Sequence, residues 1–146
     1  MEYAKLNGEY FLRVDPGEEI LESITKLCEN EKIFGGHFQG IGACGEITLA
    51  TYIPAEKDFV LHNLSGMFEI VSLLGNVTQN SEGKVSLHAH GNFSYLDENK
   101  KLVEVGGHLR RAVINYTGEI ILRPANEIIG QRFDIAEKVG VWKFQK

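Results

Sequence analysis

The sequence lacks any hydrophobic run close to the roughly 20 residues that a membrane-spanning helix needs. Its first residues, Met1-Glu2-Tyr3-Ala4-Lys5, also lack the charged and apolar regions of a signal peptide. We therefore expect a cytoplasmic protein with no membrane partner. There are only 3 prolines and no low-complexity tract, which argues against a disordered chain.

Motifs for nucleophilic catalysis and for nucleotide cofactors are missing too. The 2 cysteines, Cys28 and Cys44, do not form a Cys-x-x-Cys pair, so we expect buried thiols and no disulfide. There is no Gly-x-Ser-x-Gly elbow, and the glycine-dense segment 35–45 lacks the Lys-Ser or Lys-Thr of a phosphate loop. We read that segment as a strand with close backbone packing. No organic cofactor is predicted, and no catalytic residue can be named.

Positive charge is also scarce. With 15 Lys and Arg against 20 Asp and Glu, the formal net charge is -5, and such a chain repels DNA unless its basic residues gather on one face. Arg110 and Arg111, with Arg123 and Arg132, offer a small basic patch, but scattered surface arginines are the favoured interpretation. By charge alone, nucleic-acid binding is disfavoured.

The length of 146 residues fits a single domain spanning 1–146. A helix is predicted after a short strand over 9–14, since Asp15 can cap free amides and Glu18 completes an acidic capping box. The residues at helical spacing that form its inward face are Ile20, Leu21, Ile24, Leu27 and Cys28. We expect this helix to run to about Asn30.

The remaining periodic segments alternate as strands do, and short turns join them. They lie at 46–52, 59–64, 67–77, 84–95, 102–105 and 112–122, with a short aromatic stretch at 133–144 that suits an edge or an oligomer contact. The segment 67–77 is largely apolar, as expected for a central strand covered on both faces. Together these segments predict an α+β fold with a largely antiparallel sheet of about seven strands and one main amphipathic helix.

Three of the 5 histidines fall in two short segments, 87–91 and 106–109, within runs that otherwise alternate like buried strands. On a strand, His88 and His90 point to the same face with Cα atoms about 6.6 to 6.8 Å apart. If residues 97–100 close a hairpin, residue 88 comes opposite 108 or 109, with Gly106-Gly107 supplying a bulge, and His108 becomes a third ligand. Three imidazoles with an open fourth position suit a zinc ion. The alternative is that these are half-buried histidines bonded to nearby carbonyls or carboxylates.

Other candidate residues carry less weight. Glu46, Glu69 and Glu119 are carboxylates that can orient an imidazole from a neighbouring strand, although each is individually better explained as a solvent-facing residue. Glu69 is the candidate proton carrier if the protein is an enzyme. His37 and His62 lack a partner at useful spacing and are interpreted as ordinary histidines.

Five motifs in order along the chain resemble the plant and prokaryote conserved (PPC) domain. They are 18–24 (EEILESI), 40–43 (GIGA), 66–76 (GMFEIVSLLGN), 87–90 (LHAH) and 105–109 (VGGHL). The resemblance implies an α+β fold assembled as a homotrimer, with His88, His90 and His108 where prokaryotic members hold a metal such as zinc. Plant members join this domain to an AT-hook, a short Arg-Gly-Arg-Pro segment, which this chain lacks.

Two hypotheses follow. The first is a homotrimeric PPC-domain protein whose three-histidine zinc site, at or near a subunit boundary, acts on or senses a small molecule. The second is a DNA-binding or transcription-regulatory interaction module. Whether the protein is an enzyme stays open at this point.

Overall fold

A computed structural model describes residues 1–144 as one helix and eight strands. The elements in chain order are β1 (Glu2–Leu6), β2 (Glu9–Val14), α1 (Ile20–Glu31), β3 (Gly36–Ile53), β4 (Asp58–Gln79), β5 (Val85–Leu96), β6 (Leu102–Pro124), β7 (Gly130–Asp134) and β8 (Val139–Lys143). Every strand pair is antiparallel except β4 with β7. The predicted α+β class with a largely antiparallel sheet is therefore confirmed.

The sheet follows the order β1-β2-β6-β3-β4-β7-β8, and β5 pairs with both β4 and β6. Since β3 pairs with β4 and with β6, strands β3, β4, β5 and β6 form a ring of paired strands. β5 is therefore held along both edges, which fixes its side chains relative to those of β6.

Several segments predicted as separate strands are continuous. β4 joins 59–64 to 67–77, and β6 joins 102–105 to 112–122. The register shifts at bulges, for example between Ile70 and Ser72 on β4, so these long strands bend instead of ending. β1, with the sequence EYAKL, was not predicted; it is a short edge strand of mostly exposed residues.

Helix α1 begins later than the sequence predicts. Asp15 is not its cap, because Glu19 is the N-cap and accepts a 2.7 Å hydrogen bond from the Glu22 amide. The Asp15 amide does donate to Glu18 Oε2, so the capping-box contact forms within a turn ahead of the helix. Backbone hydrogen bonds between this turn and Ile114 hold the turn against β6. The helix therefore begins only at Ile20. No helix within residues 1–144 is long and apolar enough to cross a membrane.

One face of the sheet packs against α1 and forms the core. The predicted inward face of the helix is buried at Ile20, Ile24, Leu27 and Cys28, whereas Leu21 is only partly buried. Each fully buried aliphatic side chain here contributes roughly 1.5 to 3 kcal/mol. The other thiol, Cys44, is buried on β3, and both cysteines are free, as predicted. Burial raises the pKa of each thiol to about 12.

The opposite face of the sheet is not covered by any element within residues 1–144. On β4, Leu73 faces the core and is 1% exposed, whereas the next residue, Leu74, is 58% exposed. The prediction that 67–77 is covered on both faces is therefore wrong for a single chain, because the one helix packs on one side. Phe11, Ile41 and Val71 are exposed on this uncovered face and line, with Leu74, a groove of about 900 Å³.

The glycine-dense segment 35–45 lies in β3, and its predicted close packing is confirmed. A Cβ atom at Gly42 would lie 2.2 Å from the Thr117 carbonyl oxygen, and φ there is +151°. A Cβ at Gly40 would lie 2.9 Å from the Glu119 carbonyl oxygen. Glycine at these two positions lets β3 and β6 approach closely at a bulge.

The last two strands form a hairpin at the edge of the sheet, as the sequence predicts for 133–144. β7 meets β4 only through the parallel pair Gln79 and Gly130. Phe133 and Trp142 are exposed on this hairpin. An oligomer contact at this hairpin stays a prediction.

Candidate metal centre

Three histidine side chains meet on the uncovered side of β5 and β6. His90 pairs directly with His108 across the two strands, and their ring centroids lie 5.3 Å apart. His88, two residues before His90, points to the same face, with its ring centroid 5.1 Å from His90 and 5.0 Å from His108. We call these three residues the histidine cluster.

The register differs from the predicted one. His108 lies opposite His90, not His88, because the pairs run without a shift from Leu96 and Leu102 to this point. Gly106 and Gly107 are therefore not a bulge in this pairing. The predicted pairing of residue 88 with 108 differs from the observed register by two residues, and the alternative pairing with 109 differs by one. The cluster agrees with the first pairing because side chains two apart on a strand share a face. A shift of one residue would have separated the histidines.

The possible ligand atoms of the cluster all lie within 4.8 Å of one another. His88 Nε2 and His90 Nε2 are 3.2 Å apart. Two nitrogens bound to one tetrahedral zinc ion at about 2.0 to 2.1 Å are separated by about 3.3 Å. The His88 and His90 nitrogens therefore already have the spacing of two ligands on one ion.

The surroundings keep two of these imidazoles neutral. Burial, followed by the charges of Arg110, His88 and His90, lowers the pKa of His108 to about 4. Burial, followed by the charges of His90 and Arg110, also lowers the pKa of His88. A neutral imidazole is the form that binds a metal ion.

An arginine and an aromatic ring border the cluster. The Phe59 ring centroid lies 5.6 Å from that of His108, and the Arg110 Cζ lies 4.9 Å from the Phe59 centroid. Phe59 was not predicted as a site residue, and Arg110 was considered only as part of a basic patch. Arg110 follows His108 by two residues on a strand, and this spacing is the sequence signal that could have placed Arg110 near the cluster.

On its other side the cluster opens onto a second groove of about 340 Å³. Its lining includes His37, Leu74 and Asn76 together with His88 and His90. His37 pairs with Asn76, which in turn pairs with His88, so His37 lies one strand too far away to join the cluster. The other ordinary histidine, His62, contacts Thr51 Oγ1 at 3.2 Å.

The three candidate carboxylates do not reach the cluster. Glu46 forms an ion pair with Arg111, and Glu119 lines the 900 Å³ groove. Glu69 lies opposite Ser94, four residues from His90 along β5, which is about 13 Å. Within residues 1–144, none of the three makes a hydrogen bond with a cluster histidine. The histidines therefore lack a carboxylate partner from their own chain in this region.

A family model matches residues 1–126 of this chain. Its description is the Plants and Prokaryotes Conserved (PCC) domain. The chain belongs to the PCC domain family. This confirms the resemblance to the plant and prokaryote conserved domain. No curated protein matches the PCC chain in a sequence comparison.

Solved structures similar to this PCC chain span almost its whole length. A PPC protein from Pyrococcus horikoshii is 27% identical, with a TM-score of 0.81 over 99% of this chain and 96% of that one. A metal-containing protein from Archaeoglobus fulgidus is 26% identical, with a TM-score of 0.82 over 98% and 97%. A candidate DNA-binding protein from Bacteroides thetaiotaomicron is 26% identical, with a TM-score of 0.89 over 99% and 98%.

Proposed function

We propose that this PCC-domain protein binds a zinc ion through His88, His90 and His108 and uses it to act on or sense a small molecule. The observation that carries the proposal is the convergence of three imidazole nitrogens within 4.8 Å. Sets of nitrogen ligands suit zinc and other late first-row metals, and three protein ligands leave a position open. When bound, zinc supplies Lewis acidity toward an oxygen atom of the small molecule.

The residues of the chain fit such an ion. His88 and His108 have lowered pKa values, so protons compete weakly for their nitrogens. Both His88 and His90 are exposed, which leaves room for a further ligand on the open side. The similar protein from Archaeoglobus fulgidus is described as metal-containing, which supports a metal in this family.

We further propose that the protein assembles as a homotrimer through its uncovered sheet face. Ile41 and Leu74 are each 58% exposed there, and apolar area of this kind favours a protein contact. Leu74 lines both the 900 Å³ groove and the groove beside the histidines. A second copy covering this face would therefore extend to the edge of the histidine cluster, which puts the proposed metal site near a subunit boundary.

The charges of the chain do not favour the DNA-binding alternative suggested by the Bacteroides relative. Carboxylates neutralise four arginines at distances from 2.6 to 3.4 Å. These arginines are Arg13, Arg111, Arg123 and Arg132. Among residues 1–144, three of the four arginines of the basic patch considered from the sequence are therefore in ion pairs, and Arg110 is the exception. DNA affinity that falls steeply between low and physiological salt would contradict this interpretation.

Metal content per chain tests the proposed site. We expect near-stoichiometric zinc in untagged wild-type protein after mild dialysis, measured by elemental analysis, and loss of most of it in His88→Ala and His108→Ala. His62→Ala is the matched control, since His62 contacts Thr51 outside the cluster. No uptake by the wild type, even after zinc is added back, would contradict the proposal.

A further inference from the structure

Two adjacent arginines on β6 differ in their partners. Arg111 Nη1 lies 2.6 Å from Glu46 Oε2, so its charge is neutralised. Arg110 has no carboxylate oxygen within 4.0 Å among residues 1–144. An arginine without a carboxylate partner next to a possible ligand site is a candidate for binding an anion, because its guanidinium presents a planar set of donors.

The pairing with β3 and a contact with β4 place Arg110 beside Phe59, the aromatic neighbour of His108. Leu109 pairs with Leu49 and Arg111 pairs with Thr48, so Arg110 is the extra residue of a bulge. Bulges redirect a side chain relative to regular alternation. The guanidinium packs on the Phe59 ring, at 4.9 Å from its centroid, and this same ring contacts His108.

Nearby acidic groups do not neutralise this arginine. Glu19 and Glu22 line a groove of about 530 Å³ that also includes Arg110. The Glu19 carboxylate accepts hydrogen bonds from the Glu22 and Ala112 amides, so it is already occupied. Glu22 also lies beyond ion-pair distance of Arg110. Within residues 1–144, the Arg110 guanidinium therefore keeps an uncompensated positive charge on the Phe59 ring, which contacts His108.

We infer that Arg110 anchors the carboxylate of a small organic acid whose neighbouring oxygen faces the histidine cluster. This inference rests on the proposed metal site and names its ligand class. Three neutral imidazoles do not neutralise the charge of a bound divalent ion. The ion and the Arg110 guanidinium would therefore form a positively charged site that attracts an anion, although the net charge of the chain is -5. A carboxylate matches the fork of the guanidinium, and a second oxygen matches the open metal position.

Glycolate and Co²⁺ provide a direct test. Wild-type, Arg110→Gln and Arg111→Gln proteins are loaded with Co²⁺, and glycolate is titrated while the visible absorption of the metal is recorded. Ethylene glycol, which lacks the carboxylate, is the neutral probe. We expect Arg110→Gln to weaken glycolate binding roughly tenfold or more while Co²⁺ content is unchanged. Arg111→Gln should stay within about twofold of wild type, because Arg111 is already paired with Glu46.

The outcomes separate this inference from the proposed function. Equal glycolate affinity in wild type and Arg110→Gln, with full Co²⁺ uptake in both, would overturn the inference alone. So would equal weakening in both arginine variants. Failure of the wild type to take up Co²⁺ would overturn the metal site and the inference with it.

Discussion

The two faces of the sheet both carry large apolar side chains, but in different environments. On the face toward α1, apolar side chains such as Leu73 and Val77 are fully buried. On the other face, Ile41, Val71 and Leu74 are just as apolar and remain exposed. Within residues 1–144, the chain supplies a cover for one face only, and the histidine cluster lies on the side without one. The hydrophobic core and the proposed metal site thus lie on opposite faces of the sheet.

The sharpest test of this contrast uses two adjacent residues on β4. Leu73→Ala removes a core side chain, and we expect it to lower the free energy of unfolding by about 2 to 5 kcal/mol. Leu74→Ala, measured in dilute protein, should lower it by less than about 1 kcal/mol because Leu74 is largely exposed. Urea denaturation measures both. Similar losses at both positions would mean that Leu74 is already covered in dilute solution.

A second prediction concerns what covers the exposed face. If copies of the chain meet there, Leu74→Glu places a charge in the contact and should raise the dissociation constant of the assembly roughly a hundredfold. Sedimentation measures this as a shift from three times 16.3 kDa toward 16.3 kDa.

Leu102→Glu is the matched control, because Leu102 is also exposed but lies at the β5–β6 hairpin, away from both grooves. If only Leu102→Glu dissociated the assembly, the contact surface would lie at that hairpin instead. A wild-type protein of 16.3 kDa at all concentrations would contradict the homotrimer.

Much of the covered face could be predicted from the sequence. The spacing of Ile20, Ile24 and Leu27 identified the buried side of α1, because a helical period leaves few alternatives. The uncovered face could not be predicted in the same way. An apolar run such as 67–77 has the same sequence pattern whether its second face packs against a helix of the same chain or against another molecule.

The histidine cluster was predicted for a sound reason and with an incorrect register. Alternation places His88 and His90 on one face whatever the pairing, and this part depends only on local geometry. The partner of His108 depends on the turn at 97–101, whose hydrogen bonds from the Asp97 and Lys100 amides set the register. The two-residue spacing from His108 is a local signal for Arg110. Its contact with Phe59 is not, because that contact depends on a bulge and on strands far apart in sequence.

The smallest predicted effect tests whether water reaches the buried side chains of the covered face. Burial raises the pKa of Cys28 and Cys44 to about 12, well above the value of about 8.5 in an unfolded chain. Between these values the folded chain keeps both protons and the unfolded chain releases them. Stability therefore falls as pH rises above about 8.5, by up to about 1.4 kcal/mol per pH unit for each thiol.

Urea denaturation of wild type and Cys28→Ala at pH 8 and pH 10 isolates this contribution. The alanine variant is less stable at both pH values because it leaves a cavity, but its additional loss between pH 8 and pH 10 should be smaller than that of wild type. An equal loss would mean that the Cys28 thiol ionises freely in the folded protein. Water would then reach the covered face as well, and the contrast between the two faces would be one of packing alone.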